Sequence, residues 1–123
     1  MAKLLIVEDD ELMLRMYTKL LSYVGFDTVI AKDGQEGLEK ARTEKPSLII
    51  LDIMMPKING LDVLKALKAD KETQNIPVVL LTNVSDDNIL TEALKLGATV
   101  YLIKSQIANN ELVEEIKQYL NEA

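Results

Sequence analysis

The sequence predicts one α/β domain, a (βα)5 chain folded as a doubly wound parallel sheet of five strands. Short aliphatic runs recur along the chain without polar alternation, as in strands that helices cover on both faces. Segments with apolar residues at helical spacing separate these runs. The length of 123 residues suits one hydrophobic core. Strand–helix alternation of this kind is typical of an open sheet with helices on both faces.

The aliphatic runs predict the strands, at residues 4–7, 28–31, 48–51, 78–81 and 100–103. Each run is too short to be a buried helix. We expect the strand order 2-1-3-4-5, in which strands 1 and 3 are neighbours. Ligands of such sheets bind at the carboxyl ends of the strands, beside the point where the order reverses. The switch between strands 1 and 3 is therefore the expected site.

The segments between the strands predict helices, at residues 11–24, 33–45, 61–69, 85–96 and 110–120. Gly25 and Gly97 follow the first and fourth as C-terminal stops, and Pro46 ends the second. The predicted buried stripe of the first helix is Met13, Met16, Tyr17, Leu20, Leu21 and Val24. Two further apolar residues, Leu12 and Leu14, leave a choice between a wide buried face and a docking surface for a helical partner.

Composition excludes several classes of function. The formal net charge of −6 argues against a nucleic-acid surface, which usually needs a basic stripe. The chain has no cysteine and no histidine, which excludes disulfides, thiolate catalysis, Ser-His-Asp triads and zinc sites built on those residues. Any metal must be held by oxygen ligands, which favours Mg²⁺, Ca²⁺ or Mn²⁺. No apolar run is long enough for a membrane helix or a secretion signal, so we expect a cytoplasmic protein.

Acidic residues follow the two strands that are expected to be neighbours. Glu8 and Asp9 come after strand 1, and Asp52 comes after strand 3. Three carboxylates at one sheet edge repel one another, and a bound Mg²⁺ would relieve that repulsion. Taken singly, the acids after strand 1 could instead favour a helix N-terminus, as we expect for Asp10, and Asp52 could cap its loop.

The next two strands also end in polar residues. Strand 4 finishes at Thr82 and strand 5 at Lys104. A hydroxyl and an ammonium beside three acids can bind a tetrahedral anion such as a phosphoryl group. A capping threonine and a lysine that reaches to solvent are the ordinary alternatives for each residue alone.

With these residues in place, the sequence strongly resembles the receiver domains of two-component response regulators, the CheY-like family. The resemblance covers nearly the whole chain and is carried by "LLIVEDD", "LIILDIMMPKINGLDVL", "IPVVLLT" and "ALKLGATVYLIK". It implies a flavodoxin-like or CheY-like fold. It also implies that Asp52 is the phosphoacceptor, and that Glu8, Asp9, Asp52 and the backbone carbonyl of Met54 bind Mg²⁺.

The resemblance implies roles at the other strand ends too. Thr82 would be the switch hydroxyl, Tyr101 the aromatic switch residue and Lys104 the lysine of the site, while Pro56 and Gly60 would shape the loop after strand 3. Tyr101 could otherwise be an ordinary half-buried aromatic residue of a strand.

By this resemblance, the protein is a signalling domain rather than an enzyme. It would take a phosphoryl group from a histidine kinase or histidine phosphotransfer protein. It would then change the face formed by helix 4, strand 5 and helix 5, which a downstream protein reads. We expect one receiver domain over residues 1–123 with no effector domain, no direct contact with nucleic acid or membrane, and a monomer or weak homodimer.

Two positions depart from the family pattern. Ser105 stands where proline usually follows the lysine, which leaves the conformation of that loop open. Asn83 stands where a small residue usually follows the threonine, and we expect it to narrow access to Asp52. Three rival interpretations fit less well. An inactive receiver used only for interaction would lack one of the five site residues Glu8, Asp9, Asp52, Thr82 and Lys104, and none is missing. A dehalogenase-type phosphatase would need an aspartate at Met54, and a flavin-binding module would need a phosphate-binding loop in place of "VEDDEL".

Overall fold

The computed structural model describes residues 2–55 and 58–121 and has the predicted architecture. Its five parallel strands form one sheet in the order β2-β1-β3-β4-β5. The strands are β1 Lys3–Val7, β2 Asp27–Ala31, β3 Leu48–Leu51, β4 Val78–Thr82 and β5 Val100–Ile103. The helices are α1 Glu11–Tyr23, α2 Gly34–Glu44, α3 Gly60–Ala69, α4 Asp87–Lys95 and α5 Asn109–Asn121.

Alternate residues of the strands point to opposite faces of the sheet, and each face has its own core. Leu5, Ile49 and Leu80 pack with residues of α2, α3 and α4. Ile6 and Ile50 pack with residues of α1 and α5 on the other face. All four residues of β3 are buried, which explains why this strand is aliphatic throughout.

The register of the sheet sets the heights of the strand ends. Val7 of β1 lies opposite Leu51 of β3, so the residue after each strand reaches the same level. The backbone amide of Asp52 continues this pairing, because it donates to the carbonyl of Val7 at 3.1 Å. Leu51 lies opposite Leu80, so β4 runs on past Asp52 before it ends at Thr82. Glu8 and Asp52, which follow β1 and β3, therefore meet Thr82, the last residue of β4, at one edge of the sheet.

Side-chain caps place the helix starts, and the starts of α2 to α5 lie one or two residues from those that the sequence predicts. Helix α4 begins at Asp87 rather than residue 85, because Asp86 is its N-cap. The Asp86 carboxylate accepts from the amides of Asn88 and Ile89 at 2.8 and 3.3 Å. The same role of Asp10 on α1 is confirmed, since its carboxylate accepts from Leu12 and Met13.

The buried face of α1 is narrower than predicted. Leu14, Tyr17 and Leu21 form it, at the spacing of one helical stripe. The expectation that Met16 and Val24 are buried is wrong, because they are 40% and 36% exposed. Gly25 has a φ of 102°, so it is the left-handed stop that the sequence predicts. In the described ranges, no helix is both long and apolar enough to cross a bilayer.

Candidate functional site

Three carboxylates meet at the carboxyl edge of the sheet, between β1 and β3. One oxygen each from Glu8, Asp9 and Asp52 lies within 4.8 Å of the others. Glu8 and Asp52 are buried, at 3% and 7% exposure, whereas Asp9 faces solvent. A group of this kind, with two buried oxygens and an open side, can hold a small divalent cation that keeps part of its water shell.

Lys104, at the end of β5, spans the two buried acids. Its Nζ lies 2.6 Å from Glu8 Oε1 and 3.0 Å from Asp52 Oδ2, and only 10% of its side chain is exposed. One ammonium cannot balance three carboxylates, so the cluster keeps an excess of negative charge when all three are ionised.

The pKa values of the two buried acids move in opposite directions. Burial is the main reason that the pKa of Glu8 rises to about 8; the neighbouring Asp52 adds to the rise, and Lys104 opposes it. Burial alone would also raise the pKa of Asp52. Hydrogen bonds with Glu8, Thr82 and Lys104 outweigh that effect and bring the pKa of Asp52 below its ordinary value. Asp52 is thus an ionised carboxylate at neutral pH, ready to act as a nucleophile.

An oxygen of Glu8 tests whether these residues fit a metal. Glu8 Oε2 is buried and has no hydrogen-bond donor among the described residues. A proton shared with Asp52, an ordered water or a bound cation could satisfy it without rearrangement. Since the neighbouring groups are carboxylates and the sequence has no cysteine or histidine, the site fits a hard cation such as Mg²⁺.

The loop after β3 adds backbone groups to the site. The amide nitrogen of Met54 lies 3.3 Å from Asp52 Oδ1, and its side chain is 67% exposed. The Met54 carbonyl as a metal ligand stays a prediction. Pro56, which the sequence analysis placed in this loop, lies outside the described residues.

Gly60 lets the start of α3 approach Asp52 closely. Its amide donates to the carbonyl of Ile53 at 2.8 Å. A Cβ at this position would overlap the carbonyl oxygen of Asp52 and the Cα of Ile53. Residue 60 must therefore be glycine for the backbone that carries the Asp52 carboxylate to keep this position.

Thr82 and Tyr101 lie on the β4 and β5 side of the site. Thr82 is fully buried, and its carbonyl accepts from the backbone amide of Lys104 at 2.9 Å. The Tyr101 hydroxyl donates to the carbonyl of Val84 at 2.6 Å. Burial, followed by the charges of Asp52 and Asp86, raises the pKa of Tyr101, so its hydroxyl remains a donor at neutral pH. Tyr101 is half-buried against the loop that Thr82 begins.

Asn83 and Ser105, the two positions that depart from the family pattern, contact each other in the structure. The backbone amide of Ser105 donates to Asn83 Oδ1 at 3.2 Å. A proline at 105 would have no N–H to donate, and a small apolar residue at 83 would have no oxygen to accept it. The one available signal was that both departures fall directly after β4 and β5.

Comparison with known proteins agrees with this geometry. Residues 4–117 match the family model of the response regulator receiver domain. The chain belongs to this receiver-domain family. A curated relative, the polar-differentiation response regulator DivK of Brucella anthropi, is 35% identical over 97% of this chain and 96% of its own length.

Solved receiver structures share the fold. A CheY-like receiver domain protein from Methanospirillum hungatei superposes with a TM-score of 0.91 at 30% identity, over 99% of this chain and 95% of its own. The receiver domain of a signal transduction histidine kinase from Syntrophus aciditrophicus gives 0.92 at 28% identity, over 100% of this chain and 92% of its own. Receiver domains are signalling domains, not enzymes in the usual sense, and they interact with histidine kinases and downstream targets.

The contact at Gly60 predicts the effect of adding one methyl group to this receiver domain. We expect Gly60→Ala to push the Asp52 backbone aside and to lower the free energy of unfolding by roughly 1–3 kcal/mol. Urea unfolding followed by circular dichroism measures this. Gly37→Ala in α2 is the matched control, because its Cβ would meet only Val7 side-chain carbons, at 3.0 Å or more. Equal losses in the two variants would contradict the role of Gly60.

The raised pKa of Glu8 predicts how stability depends on pH without metal. The folded state holds a proton on Glu8 up to about pH 8, whereas the unfolded chain releases it near the ordinary value of 4.5. The free energy of unfolding should therefore fall as pH rises from roughly 5 to 8 in the presence of a chelator. The lowered pKa of Asp52 acts in the opposite sense only at lower pH, and the chain has no histidine to titrate in this window.

Urea unfolding at a series of pH values is the measurement. Glu8→Gln is the control, because a side chain that cannot ionise should flatten the profile between these pH values. A free energy of unfolding that rises with pH in the unsubstituted protein would show that Glu8 is ionised in the fold.

Proposed function

We propose that this receiver domain is a phosphorylation-dependent switch that accepts a phosphoryl group on Asp52 from a histidine kinase or a histidine phosphotransfer protein, with Mg²⁺ as the cofactor. The observation that carries the proposal is the Asp52 carboxylate itself. It directly follows the central strand, is ionised, and lies 3.0 Å from the Lys104 ammonium and close to two further acids. Membership of the receiver family supports a phosphoryl-accepting signalling role in general.

The transfer step uses the ionised carboxylate. An Asp52 oxygen attacks the phosphorus of a phosphohistidine on the partner, and the P–O bond forms as the P–N bond breaks. The electron pair of the P–N bond stays on the imidazole nitrogen of the partner. Asp52 then carries an aspartyl phosphate, an acyl phosphate that water can later cleave.

The charges around Asp52 serve the transferring group. Glu8, Asp9 and Asp52 are the residues that would hold Mg²⁺, together with the predicted Met54 carbonyl. The bound cation would offset charge on the phosphoryl oxygens. Lys104 already lies 3.0 Å from Asp52 Oδ2, so its ammonium can follow the phosphoryl oxygens as charge builds on them. The buried Thr82 hydroxyl, which helps to lower the pKa of Asp52, can donate to the same group.

The signal would leave the site through the loop between β4 and α4. Thr82 immediately precedes this loop, and the carbonyl of Val84 within it accepts a hydrogen bond from the Tyr101 hydroxyl. A Thr82 drawn toward the phosphoryl group would move the loop, and Tyr101 would follow its partner inward. Since Tyr101 already contacts the loop, phosphorylation would shift a population between two states. The face formed by α4, β5 and α5 would change, and a downstream protein would read it.

We also propose that α1 receives the phosphodonor. Leu12, Met16 and Tyr23 are 73%, 40% and 90% exposed, and their spacing places them on one outward stripe. Of the two extra leucines of α1, Leu14 packs into the core and Leu12 faces outward on this stripe. Helix α1 starts directly after the acids of the site, so a helix of the partner packed along the stripe would bring its histidine toward Asp52.

Phosphorylation by a small donor tests the central proposal. With Mg²⁺ and acetyl phosphate, intact mass should show one added phosphoryl group, and Asp52→Asn should abolish it because an amide is not a nucleophile here. Asp10→Asn is the matched control. It changes a neighbouring exposed acid and keeps the helix cap, so uptake should persist. Uptake by the Asp52→Asn protein, or no uptake by the unsubstituted chain, would refute the assignment.

A polar substitution in the stripe tests the docking surface. We expect Leu12→Ser to slow phosphotransfer from a phosphorylated histidine phosphotransfer protein by about tenfold, since a buried interface contact would be lost. The rate with acetyl phosphate should not change. Leu94→Ser on α4 is the control, because it removes another exposed leucine, 47% exposed, from a different face. Equal slowing by both variants would place the phosphodonor elsewhere.

A further inference from the structure

One hydrogen bond joins the two loops that follow β4 and β5. The Ser105 amide donates to Asn83 Oδ1 at 3.2 Å, across the gap between the strand ends. Asn83 directly follows Thr82, and Ser105 directly follows Lys104. The bond therefore links the neighbours of two residues that surround Asp52.

This bond is the middle member of a row. Three consecutive residues, starting at the end of β4, accept hydrogen bonds from β5 or from the loop behind it. The Thr82 carbonyl accepts from the Lys104 amide at 2.9 Å, and the Val84 carbonyl accepts from the Tyr101 hydroxyl at 2.6 Å. Asn83 is the member of the row that accepts through its side chain, so its contribution depends on residue type.

The row fixes the base of the Lys104 side chain. The Lys104 amide is bound to Thr82, and the next amide in the chain is bound to Asn83. The backbone is thereby held at two consecutive nitrogens, one on each side of the Lys104 Cα. These two bonds fix the Cα from which the Lys104 side chain extends. Fewer conformations of this long side chain are then available, and its Nζ reaches Glu8 and Asp52 at 2.6 and 3.0 Å.

We propose that Asn83 is a positioning residue that acts through the Ser105 amide to hold Lys104 on the carboxylates of the site. The device needs an acceptor at residue 83 and an N–H at residue 105, so the two positions work as a matched pair. Only the phosphorylation readout below rests on the proposed function.

The proposal differs from a simple steric role of Asn83 as a gate. A steric gate predicts that a side chain of similar size admits phosphodonors about as fast and that a smaller one admits them faster. A positioning residue predicts that loss of the acceptor slows phosphoryl uptake, whatever the size of the replacement. It also predicts that an acceptor of the same shape preserves the rate.

Four variants separate the effects of the Ser105 N–H donor, the acceptor oxygen at residue 83 and the size of the side chain at residue 83. Asn83→Leu keeps the size and removes the acceptor, whereas Asn83→Asp keeps an acceptor oxygen. Ser105→Pro removes the N–H, whereas Ser105→Ala keeps it and removes only the hydroxyl. Two measurements are made on the full chain: hydrogen exchange of the Ser105 amide by NMR, and the rate of phosphoryl uptake from acetyl phosphate with Mg²⁺. The ionic strength is set to screen the negative charge that Asn83→Asp adds.

We expect Asn83→Leu to speed Ser105 amide exchange and to slow phosphoryl uptake, each by about threefold to tenfold, as loss of one hydrogen bond allows. Asn83→Asp and Ser105→Ala should stay near the unsubstituted protein. Ser105→Pro should slow uptake, and adding Asn83→Leu to it should cause no further loss, because both changes break one bond.

Unchanged exchange and unchanged or faster uptake in Asn83→Leu would overturn the proposal in favour of the gate, as would additive losses in the double variant. Should Ser105→Pro not fold, the Asn83→Leu and Asn83→Asp pair decides alone. If even the unsubstituted protein takes no phosphoryl group, the proposed function fails, and Ser105 exchange in this pair still judges the link between the loops.

Discussion

The repulsion among Glu8, Asp9 and Asp52 is the constraint on which the site depends. Two of these acids are buried beside a single ammonium, so the cluster cannot be fully ionised without an additional positive charge. A core built for stability alone would replace such a group by hydrocarbon. Burial and this imbalance together raise the pKa of Glu8, and the same excess of negative charge makes the site fit a divalent cation.

The sheet register turns sequence positions into that cluster. Parallel pairing of Val7 with Leu51 brings the next residues to one level, and the longer β4 carries Thr82 past them. Helices on both faces bury the strands, so charge can gather only at the exposed carboxyl edge. Gly60 and the row of bonds from β5 then hold the backbone at the two sides of Asp52. The fold thus supplies positions, and a few local contacts supply precision.

The strands and the residues at their ends were predictable, because aliphatic runs and their first polar successors are local signals. The strand order followed from the topology of doubly wound parallel sheets. The exposed side of α1 was not, since Met16 and Leu14 are equally apolar and only packing separates them. The start of α4 was missed because Ser85 and Asp86 are both good caps. The bond between Asn83 and Ser105 joins two loops that are distant in sequence, and no periodic pattern reports such a contact.

Glu8 Oε2, which has no donor in the part of the chain that the structure describes, has a consequence for handling the protein. A cation that satisfies it binds the folded chain and not the unfolded one, so mass action makes thermal resistance depend on free divalent ions. Chelating buffers would then lower the thermal stability of the whole domain as well as prevent the proposed phosphorylation. Melting temperature becomes a reporter of ion occupancy, which needs neither a phosphodonor nor a partner protein.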